Sequence, residues 1–226
     1  MTVSGLPGVW CATDLGEYRA CEYTYALYPH YTLPPLDPAQ FTGDFGWLGG
    51  AGDPLPDEVA RLTGVTAELA TRGLALPDDF ITFYTHSDLH FALDAISVTA
   101  CWTDISDPLP SPIEPGAFLV RFLRDQQDCV IWYLYLRPSG ETFVVHSGLE
   151  YEREYQAQRE GEENDLDDPE AQTDDICWCA PTFEQFAYRV WVENTLWRAI
   201  HKNKLADLEP RLRAYLDHYA PSGTPA

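Results

Sequence analysis

"AFLVRFLRDQQDCVIWYLYLRPSGETFVVHS", residues 117–147, decides the fold. Three runs in it carry the β-branched and aromatic content of strands, and two short polar turns, "RDQQD" and "RPSGE", separate them. That spacing predicts an antiparallel meander. The middle run, "CVIWYLYL", is apolar on both of its faces. Successive side chains of a strand point to opposite sides, so such a run has no side to give to water. It belongs centrally in its sheet, with chain packed over each face.

Upstream, "DAISVTACWTD" (94–104) reads as a fourth strand, and a Pro-rich loop (105–116) leads from it to the meander. "PDEVARLTGVTAELATRG" (56–73) predicts a helix with Asp57 and Glu58 at its positive end and Gly73 at its stop. Val59, Leu62, Val65 or Thr66, and Leu69 share one face, with Gly64 its weak point. "LALPDDFITFYTHSDL" (74–89) predicts a second helix, with Pro77 in first position and a stripe of Phe80, Phe83 and Tyr84. In the first 55 residues, "VWCATD" and "YRACEYTYALY" read as a hairpin about "DLGE", followed by Pro- and Gly-rich loop.

Downstream, "GLEYEREYQAQ" (148–158) either extends a strand or forms a short helix. A charged loop follows, then a short strand, "ICWCA" (176–180). "PTFEQFAYRVWVENTLWRAIHK" (181–202) predicts a long helix. Thr182 and Gln185 form a capping box there, and Phe183, Phe186, Val190, Trp191 and Trp197 form the buried stripe. A last helix carries Leu208, Leu212, Tyr215, Leu216 and Tyr219 on one side, with Pro210 in its first turn. Strands cluster rather than alternate with helices. The expectation is an α+β fold, an antiparallel sheet with a central meander packed against helices. It forms a single domain (56–220), with residues 1–55 as an extension packed on the core and 221–226 as a disordered tail.

The chain has 226 residues, 45% of them hydrophobic, with seven Trp, thirteen Tyr and ten Phe. That is enough for a buried core and argues against disorder. A formal charge of -22 disfavours nucleic-acid backbones and anionic membranes and favours a basic partner. The first residues lack a basic start and an apolar run, and no stretch nears about 18 apolar residues, so a cytoplasmic protein is expected. Cys11, Cys21, Cys101, Cys129, Cys177 and Cys179 then read as small buried hydrophobes.

Catalytic motifs are sparse. There is no nucleophile elbow, phosphate-binding glycine loop or zinc-protease helix. His86 and His90 are spaced i, i+4, but "HSDLH" crosses a helix end, so a metal role there is weak. Cys177-Trp178-Cys179 puts both thiols on one strand face, without the spacing of a zinc site. His146 and Ser147 are adjacent on a strand and point apart. No cofactor is expected.

"REGEENDLDDPEAQTDD" (159–175) holds nine acids and one arginine, and 150–175 carries -10 of the total charge. Neither register fits a calcium-binding EF-hand loop, because the sixth position is never Gly. Three readings stand: a solvated insertion, a loop leaning on Arg198, Lys202, Lys204, Arg211 and Arg213, or a surface that steers a basic partner. On the last, the contact residues are Glu160, Glu162, Glu163, Asp165, Asp167, Asp168, Glu170, Asp174 and Asp175.

Three pieces together resemble a known family. "LALPDDFITFYTH" is similar to the helix entry of SMI1/KNR4-type domains, the SUKH superfamily. "CVIWYLYLRPSGETFVVHS" resembles its central strand pair, and "ICWCAPTFEQFAYRV" its late strand leading into a helix. The resemblance spans roughly 57–200. The Asn-Gly that often follows the first Phe-rich helix is replaced by "THSDLHF". The resemblance implies an α+β fold without enzymatic activity. It also implies an immunity protein that binds and neutralises a cognate toxin, often a nuclease. A regulatory or scaffold module binding a cellular protein is the alternative, and a metal-dependent enzyme using His86 and His90 is the remote one.

Overall fold

The computed structural model describes residues 2–167 and 175–220. It opens with four short strands, β1 (Thr2–Val3), β2 (Leu6–Pro7), β3 (Val9–Ala12) and β4 (Ala26–Pro29). Three helices follow, α1 (Pro56–Ala70), α2 (Asp78–Thr85) and α3 (Ala92–Ile96). Next come β5 (Cys101–Thr103), β6 (Leu109–Pro110), β7 (Phe118–Asp125), β8 (Ile131–Leu136) and β9 (Thr142–Ser147). Then α4 (Tyr151–Glu160), β10 (Cys177–Ala180), α5 (Phe183–His201) and α6 (Pro210–Asp217) complete the order.

The fold is α+β. β7, β8 and β9 form the meander, inside an antiparallel sheet of order β10-β9-β8-β7-β5. β5 pairs with one half of β7, and β6 with the other. All six residues of β8 are buried. Trp132, Leu134 and Leu136 enter one core, with Val120, Val144, Phe80, Phe83 and Phe186. Ile131, Tyr133 and Tyr135 enter a second, with Leu119, Phe143, Val145, Tyr151 and Trp178. The middle strand thus has chain over both faces.

Two bulges adjust this alternation. In β7 the register shifts between Arg121 and Leu123, so Phe122 and Leu123 both enter the first core. In β10 the shift between Trp178 and Ala180 does the same for Cys179 and Ala180.

Phe183 opens α5 and is the aromatic hub of the first core. Its ring lies 5.1 to 5.4 Å from those of Phe80, Phe83, Tyr84 and Phe122, mostly edge to face. Thr182 Oγ1 accepts from Gln185 N at 3.2 Å, as its capping position predicts.

α5 differs from the expected one-sided helix. One side faces the sheet, and the other packs Tyr188, Val192 and Leu196 on Leu212, Tyr215 and Leu216 of α6. Trp191 and Trp197 are only half-buried. The helix also buries Glu184, Arg189, Glu193 and Asn194, which hydrophobic periodicity gave no reason to place inside. Each is paired. Glu193 receives Arg19 at 2.6 and 2.8 Å, Tyr215 Oη at 2.7 Å and the Thr13 amide at 3.0 Å. Arg189 donates to Tyr215 Oη and the Pro34 carbonyl. Glu184 accepts from the amides of Gly43 and Phe45 and from Trp47 Nε1. The first 55 residues reach α5 through these bonds, and they also add Trp10, Leu33 and Phe45 to the first core.

Four other expectations are corrected. β3 pairs with Ala26–Pro29, so the hairpin turn is the long segment 13–25, not "DLGE". Arg19 explains this, because burying it on Glu193 draws the segment inward. The strand expected over 94–104 is a short helix followed by only three strand residues; Asp94 accepts from the amide and hydroxyl of Thr103, which turns the chain. Cys129 is exposed and Cys21 half-buried, whereas the other four cysteines are buried. Pro77 is the N-cap of α2 rather than its first residue. Among the described residues no helix is long and apolar enough to cross a membrane.

Burial opposes charge on Glu193, yet Arg19 outweighs it and holds the carboxyl below its ordinary range. Glu193→Ala leaves Arg19 buried without its counter-ion. It is expected to lower the unfolding free energy by about 3–5 kcal/mol, read from urea denaturation at neutral pH.

Candidate functional site: the acidic face

The second face of the sheet is covered by α4 and the chain that follows it. Tyr151 is fully buried and its ring lies 5.4 Å from Tyr133, whose hydroxyl donates to the Leu149 carbonyl. The Glu150 carboxylate caps α4 by accepting from the Arg153 amide at 3.0 Å. Arg121 projects from β7 beneath this helix start and is 5% exposed. It meets Asp104 and Glu152 at 3.0 Å each, and also Glu150. A buried guanidinium needs such partners, and here they tie α4 to the sheet.

α4 ends at Gly161, in the left-handed conformation at φ 73°, which a Cβ would strain. The chain then doubles back. The Glu162 amide donates to the Ala157 carbonyl, and the Asp165 amide donates to buried Glu154 at 2.8 Å. Leu166 enters the second core beside this turn. The acidic segment is therefore held at its root, which the sequence did not reveal.

Glu160, Glu162, Glu163 and Asp165 are all exposed on that root. Asp167 lies in the short turn Asp165–Asp167. Asp168, Glu170 and Asp174 lie outside the described residues. Asp175 departs from the expected outward role. Its carboxylate accepts from Ser147 Oγ, from the Gly148 amide at 3.1 Å and from the Leu149 amide at 3.2 Å. It closes the segment against the end of β9.

The expected lean on the C-terminal cations is also not seen among the described residues. Arg198 donates to the Ala95 carbonyl, Arg211 to Glu209 and the Trp47 carbonyl, and Arg213 to the Leu205 carbonyl. Lys202 and Lys204 are exposed.

His86 and His90 each spend a ring nitrogen on the backbone. His86 Nδ1 bonds the Thr82 carbonyl, and buried His90 Nδ1 bonds that of Tyr84 at 2.7 Å. Among the described residues no group of three His, Cys, Asp or Glu is arranged to hold a metal ion. Ser147 gives its hydroxyl to Asp175, not to His146. His146 is buried, and its Nε2 has no hydrogen-bond partner among the described residues.

Comparison with known protein families, with curated proteins and with solved structures gives no match in any of the three.

Two predictions concern the anchoring of this face. Asp175→Asn weakens the acceptor of Ser147, Gly148 and Leu149. It is expected to cost about 1–2 kcal/mol and to speed amide exchange at Gly148 and Leu149, followed by NMR. The second concerns pH. Burial pushes His146 down to about 4, against the pull of Asp175 and a backbone bond to Val9. Burial, with Arg189 nearby, pushes His30 down to about 4 as well. Between pH 6.5 and about 4 the unfolded chain binds protons that the folded chain refuses. Stability therefore falls with falling pH in that window, by up to about 1.4 kcal/mol per pH unit for buried His146 and by less for half-buried His30, where solvent screens the charge. His146→Gln should remove one proton's share of that slope in urea titrations across the window.

Proposed function

We propose that this chain is a non-enzymatic binding protein, an immunity protein that neutralises a cognate basic toxin by protein–protein contact. The observation that carries the reading is the root of the acidic segment. Glu160, Glu162, Glu163 and Asp165 are presented by a helix and turn held through Tyr151, Leu166, Glu154 and Arg121. Charge fixed on a folded support meets a partner without first being ordered, so less free energy is lost on binding. Such charge also accelerates encounter with a cationic surface. A nuclease that grips phosphates carries such a surface, which makes it a fitting target for an acidic inhibitor.

The overall charge of -22 supports the same reading, since it repels nucleic acid and attracts positively charged proteins. So do the three sequence stretches that resemble SUKH domains, in their order along the chain.

The test begins with affinity capture of the tagged protein from its own cells at low and at high salt, with the bound proteins identified by mass spectrometry. A basic toxin, lost at high salt, is the expected catch. Reversal of Glu160, Glu162, Glu163 and Asp165 to Lys should then slow association with it by about 10- to 1000-fold at low salt. The dissociation rate should change far less. An unchanged association rate would reduce the segment to a spacer.

A further inference from the structure

Residues of the segment Cys21–Leu27 line a long groove. Two depressions of about 500 and 610 Å³ adjoin there, sharing Tyr23, Thr24, Val98 and Thr99. A third, of about 200 Å³, shares Tyr25 and Cys129 with the first of these and ends at His146 and Asp175. The groove thus runs from Trp197, on α5, to the residue where the acidic segment rejoins the sheet.

Its charge has one sign. Asp14, Glu22, Asp125 and Asp175 line it, and no Lys or Arg stands among its described lining residues. Three of these carboxylates are fixed by backbone amides. Asp14 accepts from Gly16 and Cys21, Asp125 from Gln127 and Val130, and Asp175 from Gly148 and Leu149. Their charge is therefore held in place, as a preorganised site requires.

Aromatic faces accompany that charge. Tyr23 is 70% exposed beside the groove. Its hydroxyl donates to Glu22 at 3.1 Å, so ring and carboxylate are presented together. A cation placed over a tyrosine face and beside a carboxylate gains from both. Two non-glycine residues on the groove wall or just beside it, Ala100 and Asp128, hold left-handed backbone at φ 57°. Strain of this kind gathers at binding sites.

We propose that this groove docks an extended arginine- and lysine-rich segment of the protein partner, which enters beside Asp175 and crosses Tyr23. The occupant follows from complementarity: such a segment offers cations to the carboxylates of Asp14, Glu22 and Asp175, Asp125 being only 1% exposed. An acidic peptide or a nucleic-acid strand would meet only like charge. The inference rests on the reading of a basic partner, and adds a second contact surface that ends where the acidic segment rejoins the sheet.

The test uses the isotopically labelled full chain and an octaarginine peptide, in about 150 mM salt, where charges more than ~8 Å apart are largely screened. Amide shifts are expected at Tyr23, Thr24, Thr99, Ala100 and Gln127. The exposed-loop variants Glu22→Lys with Tyr23→Ala, and separately Gln126→Lys with Gln127→Lys, should each weaken the peptide by about tenfold, equivalent to ~1.4 kcal/mol. Lys substitution of Glu160, Glu162, Glu163 and Asp165 should weaken it by less than about threefold, since none of them lines the groove. Shifts confined to residues 150–165, abolished by that last variant, would overturn the groove while leaving the basic-partner reading intact. No binding by any surface at that salt would count against both.

Discussion

Six consecutive buried residues, Ile131–Leu136, impose the condition on which the rest of the molecule depends. A strand with no polar face cannot sit at a sheet edge or under a single layer. β7 and β9 satisfy its backbone on either side, and two separate cores satisfy its side chains. One core takes α1, α2 and α5, and the other takes α4 and the ends of the acidic segment. The proposed recognition face exists because that second face of the sheet needed a cover.

The cover is economical. Among the described residues Tyr151, Tyr155, Leu166 and Ile176, with Leu6, Ile113 and Leu149, shield the second face, and the outer side of α4 carries charge. Concentrated like charge opposes folding when it must be brought together. Here the repulsion is set against the burial of Tyr151 and Leu166 and against the cation Arg121, which draws Glu150 and Glu152 of the helix start together with Asp104. An acidic stretch that reads as solvated spacer is thereby given a fixed origin on the fold.

On the other side, α5 is a buried helix with polar teeth. It lies between the sheet and α6, so no strip of it is free for its charged residues. They are instead used up by the first 55 residues: Arg19 on Glu193, the Pro34 carbonyl on Arg189, and Gly43, Phe45 and Trp47 on Glu184. Such bonds fix a path for a segment that is rich in Gly and Pro and poor in regular structure. The same path leaves Tyr23 and Leu27 exposed, and it forms one wall of the groove.

The sequence alone determined the meander, the centrality of "CVIWYLYL", the helices at 56–70 and 183–201 and the α+β class. Each of these rests on a local period, 2.0 or 3.6, or on a cap such as Thr182, and local periods survive in the chain as written. It also located the charge, though not its support. What only the tertiary structure decided are the partnerships between distant residues. Arg19 with Glu193, Arg121 with Glu150 and Asp175 with Ser147 have no signature in sequence spacing. Nor do the bulges at Phe122 and Cys179, which reassign faces by one residue, or the short helix that Asp94 turns out of an apparent strand. A buried polar group is stable only where a partner arrives from elsewhere in the chain, and that arrival is a property of the fold.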